Sequence, residues 1–85
     1  MGAYDLGVAT LRLFASAREA AGVGTATFTG TTVGDVLIQA TDRYGAGFQA
    51  VLGSCKVWVN GEQADAATAV VDSDEVAVLP PVSGG

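Results

Sequence analysis

The last seven residues, 79–85 (Leu-Pro-Pro-Val-Ser-Gly-Gly), hold the group in this sequence that is best placed to do chemistry. Pro80 and Pro81 have no N–H to donate to a β-ladder, so a strand that precedes them must end there. Gly84 and Gly85 carry no side chains, and such a backbone can enter a narrow channel of another protein. We therefore predict that the α-carboxylate of Gly85 is the functional group; an inert terminus is the alternative. The residues expected to enter a partner together with it are Pro81, Val82, Ser83 and Gly84.

The rest of the chain is poor in catalytic side chains. It contains no histidine and one cysteine, Cys55, among 85 residues. Neither a zinc cluster nor a Cys–His nucleophile can be assembled from that set. We expect a chain that binds no metal or cofactor of its own and is not catalytic alone.

Charge and hydropathy narrow the possible partners and the compartment. The net charge is −5, with four basic residues that do not cluster, which argues against nucleic acid and anionic membranes as partners. No apolar run approaches the roughly 20 residues of a membrane span. No signal-like segment is recognisable, and a single cysteine suits a reducing compartment. A cytoplasmic protein is predicted.

Alternating hydrophobicity and turn signals predict the elements that hold the tail. Residues 1–7 show no periodicity and are expected to form a loose leader. Ala15–Ala21 is alanine-rich and predicts a short helix that ends at Gly22. Asn60-Gly61 is a strong hairpin signal, because both positions tolerate positive φ. The predicted strands are 8–14, 25–29, 56–60, 62–66 and 75–79.

One main helix is predicted to begin at Thr32, whose hydroxyl can cap the first turn beside Asp35. Gly45 and Gly47 are expected to end it. Residues 48–52 predict about one further helical turn, which closes the core from below. The apolar stripe of the main helix consists of Val33, Val36, Leu37, Ala40 and Tyr44.

Five strands and one apolar helix stripe predict an α+β, two-layer sandwich. A helix that links two hairpins across one mixed sheet is the β-grasp, or ubiquitin-like, arrangement. Its first and last strands would pair in parallel at the centre of the sheet. We expect a β-grasp domain over residues 1–80 and a flexible diglycine tail over 81–85.

The ending 74–85 (Asp-Glu-Val-Ala-Val-Leu-Pro-Pro-Val-Ser-Gly-Gly) closely resembles the small subunit of molybdopterin synthase, a ubiquitin-like sulfur carrier. Two further segments resemble it: 13–22 (Leu-Phe-Ala-Ser-Ala-Arg-Glu-Ala-Ala-Gly), and Val59-Asn60, which leads into the hairpin. The resemblance runs from about Val8 to Gly85.

This resemblance implies a chemistry for the tail. A ubiquitin-activating-like adenylyltransferase uses ATP to adenylate Gly85, and a persulfide donor then supplies the sulfur of a thiocarboxylate. The tail enters the large subunit of molybdopterin synthase and gives its sulfur to a cyclic pyranopterin precursor of the molybdenum cofactor. The resemblance also implies a heterotetramer of two small and two large subunits, with the active site on the large one.

A docking patch around the base of the tail is also predicted. The resembling family uses hydrophobic residues at the positions of Phe14 and Leu79 for docking, and strand alternation places Trp58 on the same open face of the sheet. The alternative is that the leader or Phe48 covers one or more of these side chains.

Three other functions stay open at this point. A sulfur carrier of another pathway, such as thiamine or cysteine synthesis, shares the diglycine end. A protein modifier would join its diglycine to lysines of target proteins. A plain interaction module with an inert tail would do neither.

Overall fold

The computed structural model describes residues 8–81 as one mixed sheet with helices packed on one of its faces. The strands are β1 (Val8–Leu13), β2 (Thr25–Thr29), β3 (Lys56–Val59), β4 (Glu62–Ala64) and β5 (Glu75–Leu79). The helices are α1 (Ala15–Ala21), α2 (Val33–Tyr44) and α3 (Ala46–Leu52).

The strand order is β2-β1-β5-β3-β4, so the first and last strands lie side by side near the centre of the sheet. β1 and β5 pair in parallel, with Leu11 opposite Val76 and Leu13 opposite Val78. The other three pairings are antiparallel. This is the α+β, ubiquitin-like β-grasp arrangement, and the predicted fold is confirmed.

The core lies between the sheet and the helices, where strand alternation and the stripe of α2 face each other. Leu11, Val76 and Val78 are fully buried, as are Val33 and Val36 of α2. Every second residue of β1 and β5 therefore faces the helices, as the alternating hydrophobicity of these strands indicates. The remaining core side chains are Ala9, Leu13, Ala17, Phe28, Ala40, Phe48 and Val70.

Helix α2 begins as predicted, at a complete capping box. The Thr32 hydroxyl accepts a hydrogen bond from the Asp35 N–H at 3.1 Å, and the Asp35 carboxylate accepts one from the Thr32 N–H at 3.3 Å. The same carboxylate accepts from the N–H and the hydroxyl of Thr31. These hydrogen bonds, the one from the Thr31 backbone foremost, lower the pKa of Asp35.

The boundary between β1 and α1 differs from the prediction. β1 ends at Leu13, and Phe14 is the N-cap residue of α1 instead of the last residue of the strand. Ala15 adopts a φ of 50°, which turns the chain out of the sheet directly after Phe14. Alanine rarely adopts a positive φ, so the residue type at position 15 did not predict this turn.

Three other boundaries were also predicted wrongly. β3 ends at Val59 instead of Asn60, which belongs to the hairpin turn. Gly45, at φ 91°, ends α2, but Gly47 lies inside α3, which spans seven residues instead of a single turn. β4 ends at Ala64 instead of near Ala66, because Asp65 turns the chain there. The Asp65 carboxylate accepts a hydrogen bond from the Ala67 N–H at 2.9 Å, which is an Asx turn.

The predicted hairpin at Asn60-Gly61 is confirmed, with φ values of 50° and 88°. The Asn60 side chain also ties this hairpin to the start of β5. Its amide N–H donates to Asp74 Oδ1 at 2.8 Å, and its carbonyl accepts from the Glu75 N–H at 2.9 Å. Hydrogen bonds from the Val71 N–H and from Asn60 lower the pKa of Asp74. The hairpin therefore holds the beginning of β5, the strand that leads to the tail, through the Asn60 side chain.

Candidate functional site

The tail leaves the domain from the end of β5, the middle strand of the sheet. β5 pairs with β1 on one side and with β3 on the other, where Lys56 lies opposite Leu79. A strand that is paired along both edges cannot shift its register without breaking both ladders, so the exit point of the chain is fixed. Pro80 is half-buried and Pro81 is exposed.

The other predicted tail residues, Val82, Ser83, Gly84 and Gly85, lie outside the described residues. So does the predicted leader, residues 1–7. The insertion of the tail and the chemistry at Gly85 therefore stay predictions. What the structure describes is the platform from which the tail starts.

The face of the sheet opposite the helices carries the three predicted docking residues. Leu79 is 37% exposed and Phe14 is 41% exposed, while Trp58 is partly buried. Phe14 directly follows Leu13, the register partner of Val78, so Phe14 and Leu79 lie beside each other at one end of two neighbouring strands. Trp58 pairs with Ala77 and is the diagonal neighbour of Leu79 across β3 and β5.

The structure therefore brings Phe14, Leu79 and Trp58 together around the base of the tail. We call this set the base patch. Its partly exposed aromatic and aliphatic surface has the composition expected at the centre of a protein–protein contact. Within the described residues, Phe14 and Leu79 are both exposed. Phe48 does not cover Trp58, because Phe48 is buried in the core on the helical side of the sheet.

An ion pair that sequence reasoning missed lies next to the base patch. Arg12 Nε and Glu75 Oε2 are 2.6 Å apart, and both side chains are about half exposed, at 52% and 48%. Glu75 therefore has its basic partner within the chain. Two sequence features indicate this pair: Arg12 alternates with the buried Leu11 and Leu13, and β1 and β5 were predicted to pair in parallel. In the observed register Thr10 lies opposite Glu75, so Arg12 is the diagonal neighbour of Glu75 on the open face.

The one cysteine does not have the surroundings of a nucleophile. Cys55 lies between α3 and β3, and its thiol donates a hydrogen bond to the Val51 carbonyl at 3.2 Å. Partial burial raises the pKa of the thiol, so it is protonated at neutral pH. Within residues 8–81, no group of His, Cys, Asp or Glu side chains is placed to hold a metal ion. Among the same residues, no helix is long and apolar enough to cross a membrane.

The β-grasp sheet with a central C-terminal strand defines the class of ubiquitin-like proteins. Within that class, the sequence matches the ThiS family over residues 11–85. The chain belongs to the ThiS family, a family of ubiquitin-like sulfur carriers. No curated protein matches the sequence significantly.

Solved structures agree with this assignment. Small archaeal modifier protein 1 from Methanosarcina acetivorans is 33% identical with a TM-score of 0.84, and the match covers 95% of this chain and 99% of that one. The protein of the same name from Haloferax volcanii is 35% identical with a TM-score of 0.82, over 93% and 100% of the two chains. A chain from the complex of subunits 1 and 2 of the molybdopterin-converting factor from Helicobacter pylori is 22% identical with a TM-score of 0.71, over 92% and 99%. This last likeness concerns the fold alone.

Proposed function

We propose that this protein is the sulfur carrier subunit of a molybdopterin synthase and carries sulfur as a thiocarboxylate on Gly85. The observation that supports this most is the position of β5. The central strand runs directly into Pro80 and Pro81, and the family match continues through the diglycine to residue 85. The domain 1–80 holds the base of the tail, and residues 81–85 reach a partner's active site.

The proposed chemistry begins with activation, because a carboxylate is a poor electrophile. A Gly85 carboxylate oxygen attacks the α-phosphorus of ATP, which forms an acyl-adenylate and releases pyrophosphate. Sulfur from a persulfide donor then attacks the acyl carbon and displaces AMP. Reductive cleavage of the sulfur–sulfur bond by a thiol leaves the thiocarboxylate. When that sulfur is transferred to a cyclic pyranopterin precursor, water restores the carboxylate.

In the proposed reaction this chain positions the reacting group at Gly85 and does not supply the acid–base groups. It contains no histidine, and its one thiol is held by a backbone carbonyl. General acids and bases, and any bound zinc or pterin, would therefore belong to the partners. The proposed partners are an adenylyltransferase related to ubiquitin-activating enzymes and the large subunit of molybdopterin synthase, with which the chain would form a heterotetramer in the cytoplasm.

The base patch is proposed to dock these partners while the tail enters their active sites. Phe14 and Leu79 lie next to the exit point of the tail, so a partner that contacts them also receives the tail. The Helicobacter pylori complex of subunits 1 and 2 supports a large subunit as one such partner. The residues proposed to line its channel are Pro81, Val82, Ser83 and Gly84.

A second candidate function is protein modification. The two solved structures at 33% and 35% identity are both named small archaeal modifier proteins. A modifier would join Gly85 to a lysine of a target protein instead of delivering sulfur from it. A sulfur carrier for thiamine or cysteine synthesis would use the same activated tail with a different acceptor.

Intact-mass spectrometry of the full chain, isolated from its own host, separates these functions. Replacement of one terminal oxygen by sulfur is the expected result. Attachment to other proteins would favour the modifier, and an unmodified chain in cells with active molybdenum-cofactor synthesis would contradict the proposal. A carrier of another pathway is recognised by testing the thiocarboxylated chain with each acceptor enzyme.

A matched pair of glycine variants tests the role of the tail. Gly84→Ala widens the tail by one Cβ and is expected to reduce sulfur transfer at least tenfold, whereas deletion of Gly85 abolishes transfer. Gly47→Ala makes the same chemical change in α3, where a Cβ meets nothing within 4 Å, and is expected to leave transfer unchanged. Transfer that survives the deletion of Gly85 would falsify the proposed chemistry.

A further inference from the structure

The outer edge of β2 carries main-chain groups that point away from the sheet. Leu13 N–H donates to the Gly24 carbonyl at 2.9 Å, which identifies this pair as hydrogen-bonded across β1 and β2. Hydrogen-bonded pairs alternate along an antiparallel ladder. In the register of β1 and β2, Ala26 and Phe28 therefore face β1, whereas Thr25, Thr27 and Thr29 direct their N–H and C=O groups outward.

Two further contacts agree with this alternation. Thr10 N–H donates to the Asp74 carbonyl on the β5 side at 2.9 Å, so the Thr10 main chain faces away from β2 as the alternation requires. The outward carbonyl of Thr29 accepts a hydrogen bond from the side chain of Gln39. Within the described residues, no strand pairs with β2 other than β1.

The two edges of the sheet are protected differently. β4 at one edge is three residues long and contains Glu62, and a short, charged edge resists pairing with other chains. β2 at the other edge is five residues of Thr-Ala-Thr-Phe-Thr, without charge or proline, in a protein of net charge −5. Apart from the Gln39 side chain at the Thr29 carbonyl, the exposed β2 edge therefore has none of the usual protection against strand addition.

The sequence of β2 is complementary to itself. In an antiparallel pair centred on Thr27, Thr27 lies opposite its own copy and Thr25 lies opposite Thr29. Each of these is a hydrogen-bonded pair, which exchanges two main-chain hydrogen bonds. The Thr29 carbonyl, which already accepts from Gln39, accepts the bond from the second copy on its other lone pair. On the helical face the same register places the small Ala26 opposite the large Phe28, and on the open face it places threonine opposite threonine.

Charges at the ends of β2 are complementary in the same register. Gly24 of one copy lies opposite Gly30 of the other. A Cβ at Gly24 would lie 3.3 Å from Arg18 Nε, and a Cβ at Gly30 would lie 2.8 Å from Asp35 Cβ. Arg18 of each copy therefore lies at the same end of the strand pair as Asp35 of the other, twice across the two-fold axis, and the attraction between these opposite charges favours this register. Directly opposite residues in such a pair have Cβ atoms about 5 Å apart.

From these observations we propose that a second copy of this chain binds at the β2 edge. The dimer is built by antiparallel β2–β2 pairing centred on Thr27 and joins the two five-stranded sheets into one. Since β5 and the base patch do not lie at this edge, the dimer leaves both tails free, directed to opposite sides. The proposal does not depend on the sulfur chemistry, and its failure would leave the proposed function unaffected.

Sedimentation velocity of the full chain over a concentration series tests the dimer with two lysine variants. Thr27→Lys places two like charges opposite each other on the axis and is expected to raise the dissociation constant about tenfold or more. Gln63→Lys adds the same charge to an exposed residue of the other edge strand, β4, and is expected to dimerise like the unmodified chain. Circular dichroism checks that both variants are folded.

Amide hydrogen exchange of the unmodified chain provides a test without any variant. The N–H groups of Thr25 and Thr27 are expected to become protected as the protein concentration rises, whereas those of Ala26 and Phe28 are protected at every concentration. A chain that stays monomeric at millimolar concentration overturns the proposal and leaves the edge to a strand of a different protein. Dimerisation that Gln63→Lys weakens as much as Thr27→Lys, or that leaves the Thr27 amide unprotected, overturns it as well.

Discussion

The two faces of the sheet are made from the same strands and have opposite properties. Within β1, Leu11 and Leu13 face the helices and are buried, while Arg12 between them is exposed. Within β5, Val76 and Val78 are buried, while Leu79 is 37% exposed. The comparison indicates that the helical face provides the stability of the domain, and that the open face is available for recognition without cost to the fold.

The largest expected effect is on the helical face. Leu11→Ala removes a fully buried side chain and is expected to lower the free energy of unfolding by about 2–5 kcal/mol. Leu79→Ala makes the same chemical change on the open face and is expected to cost less than about 1 kcal/mol. Urea unfolding followed by circular dichroism measures both. Equal losses would show that the two faces do not differ as we infer.

The second largest effect is on docking, where a substitution on the open face is expected to matter more than one on the helical side. Leu79→Ala is expected to weaken binding to the proposed large-subunit partner about tenfold, since it removes an apolar contact beside the tail. Ile38→Ala is the control, because Ile38 of α2 is 71% exposed but lies on the helical side, away from the base patch. Isothermal titration calorimetry with the large subunit compares them. If Ile38→Ala weakens binding as much as Leu79→Ala, docking does not occur through the open face.

The smallest effect concerns the ion pair on the open face. Arg12 and Glu75 are close, but both are half exposed, so water screens their attraction. A double-mutant cycle with Arg12→Gln and Glu75→Gln is expected to give a coupling energy of about 0.2–1 kcal/mol. A coupling energy well above this range would mean that the open face contributes to stability, and the contrast between the faces would be weaker than proposed.

Local sequence signals predicted most of the fold. The alternation in β1, the capping residues Thr32 and Asp35, and the Asn60-Gly61 turn each act over a few residues, and each is confirmed. Two of the errors lie where the backbone departs from local propensity. Ala15 adopts a positive φ, and Gly47 lies within a helix, a position where glycine is unfavourable.

The candidate site was predictable only in part, for a related reason. The diglycine can be read directly from the sequence, and alternation along single strands assigned Phe14, Leu79 and Trp58 to one face. Their proximity depends on the order and register of three strands that are distant in sequence. The Arg12–Glu75 pair was missed because it arises only from the parallel register of β1 and β5.

That parallel register also has a mechanical consequence. β1 begins at Val8 at one end of the sheet, and β5 ends at Leu79 at the other, in neighbouring strands that run the same way. A force that pulls on the tail while the beginning of β1 is held acts along both strands. It loads the hydrogen bonds between them in shear, all together, instead of opening them one after another. A force applied between the tail and the beginning of β1 therefore meets more resistance than one that separates the two strands pair by pair.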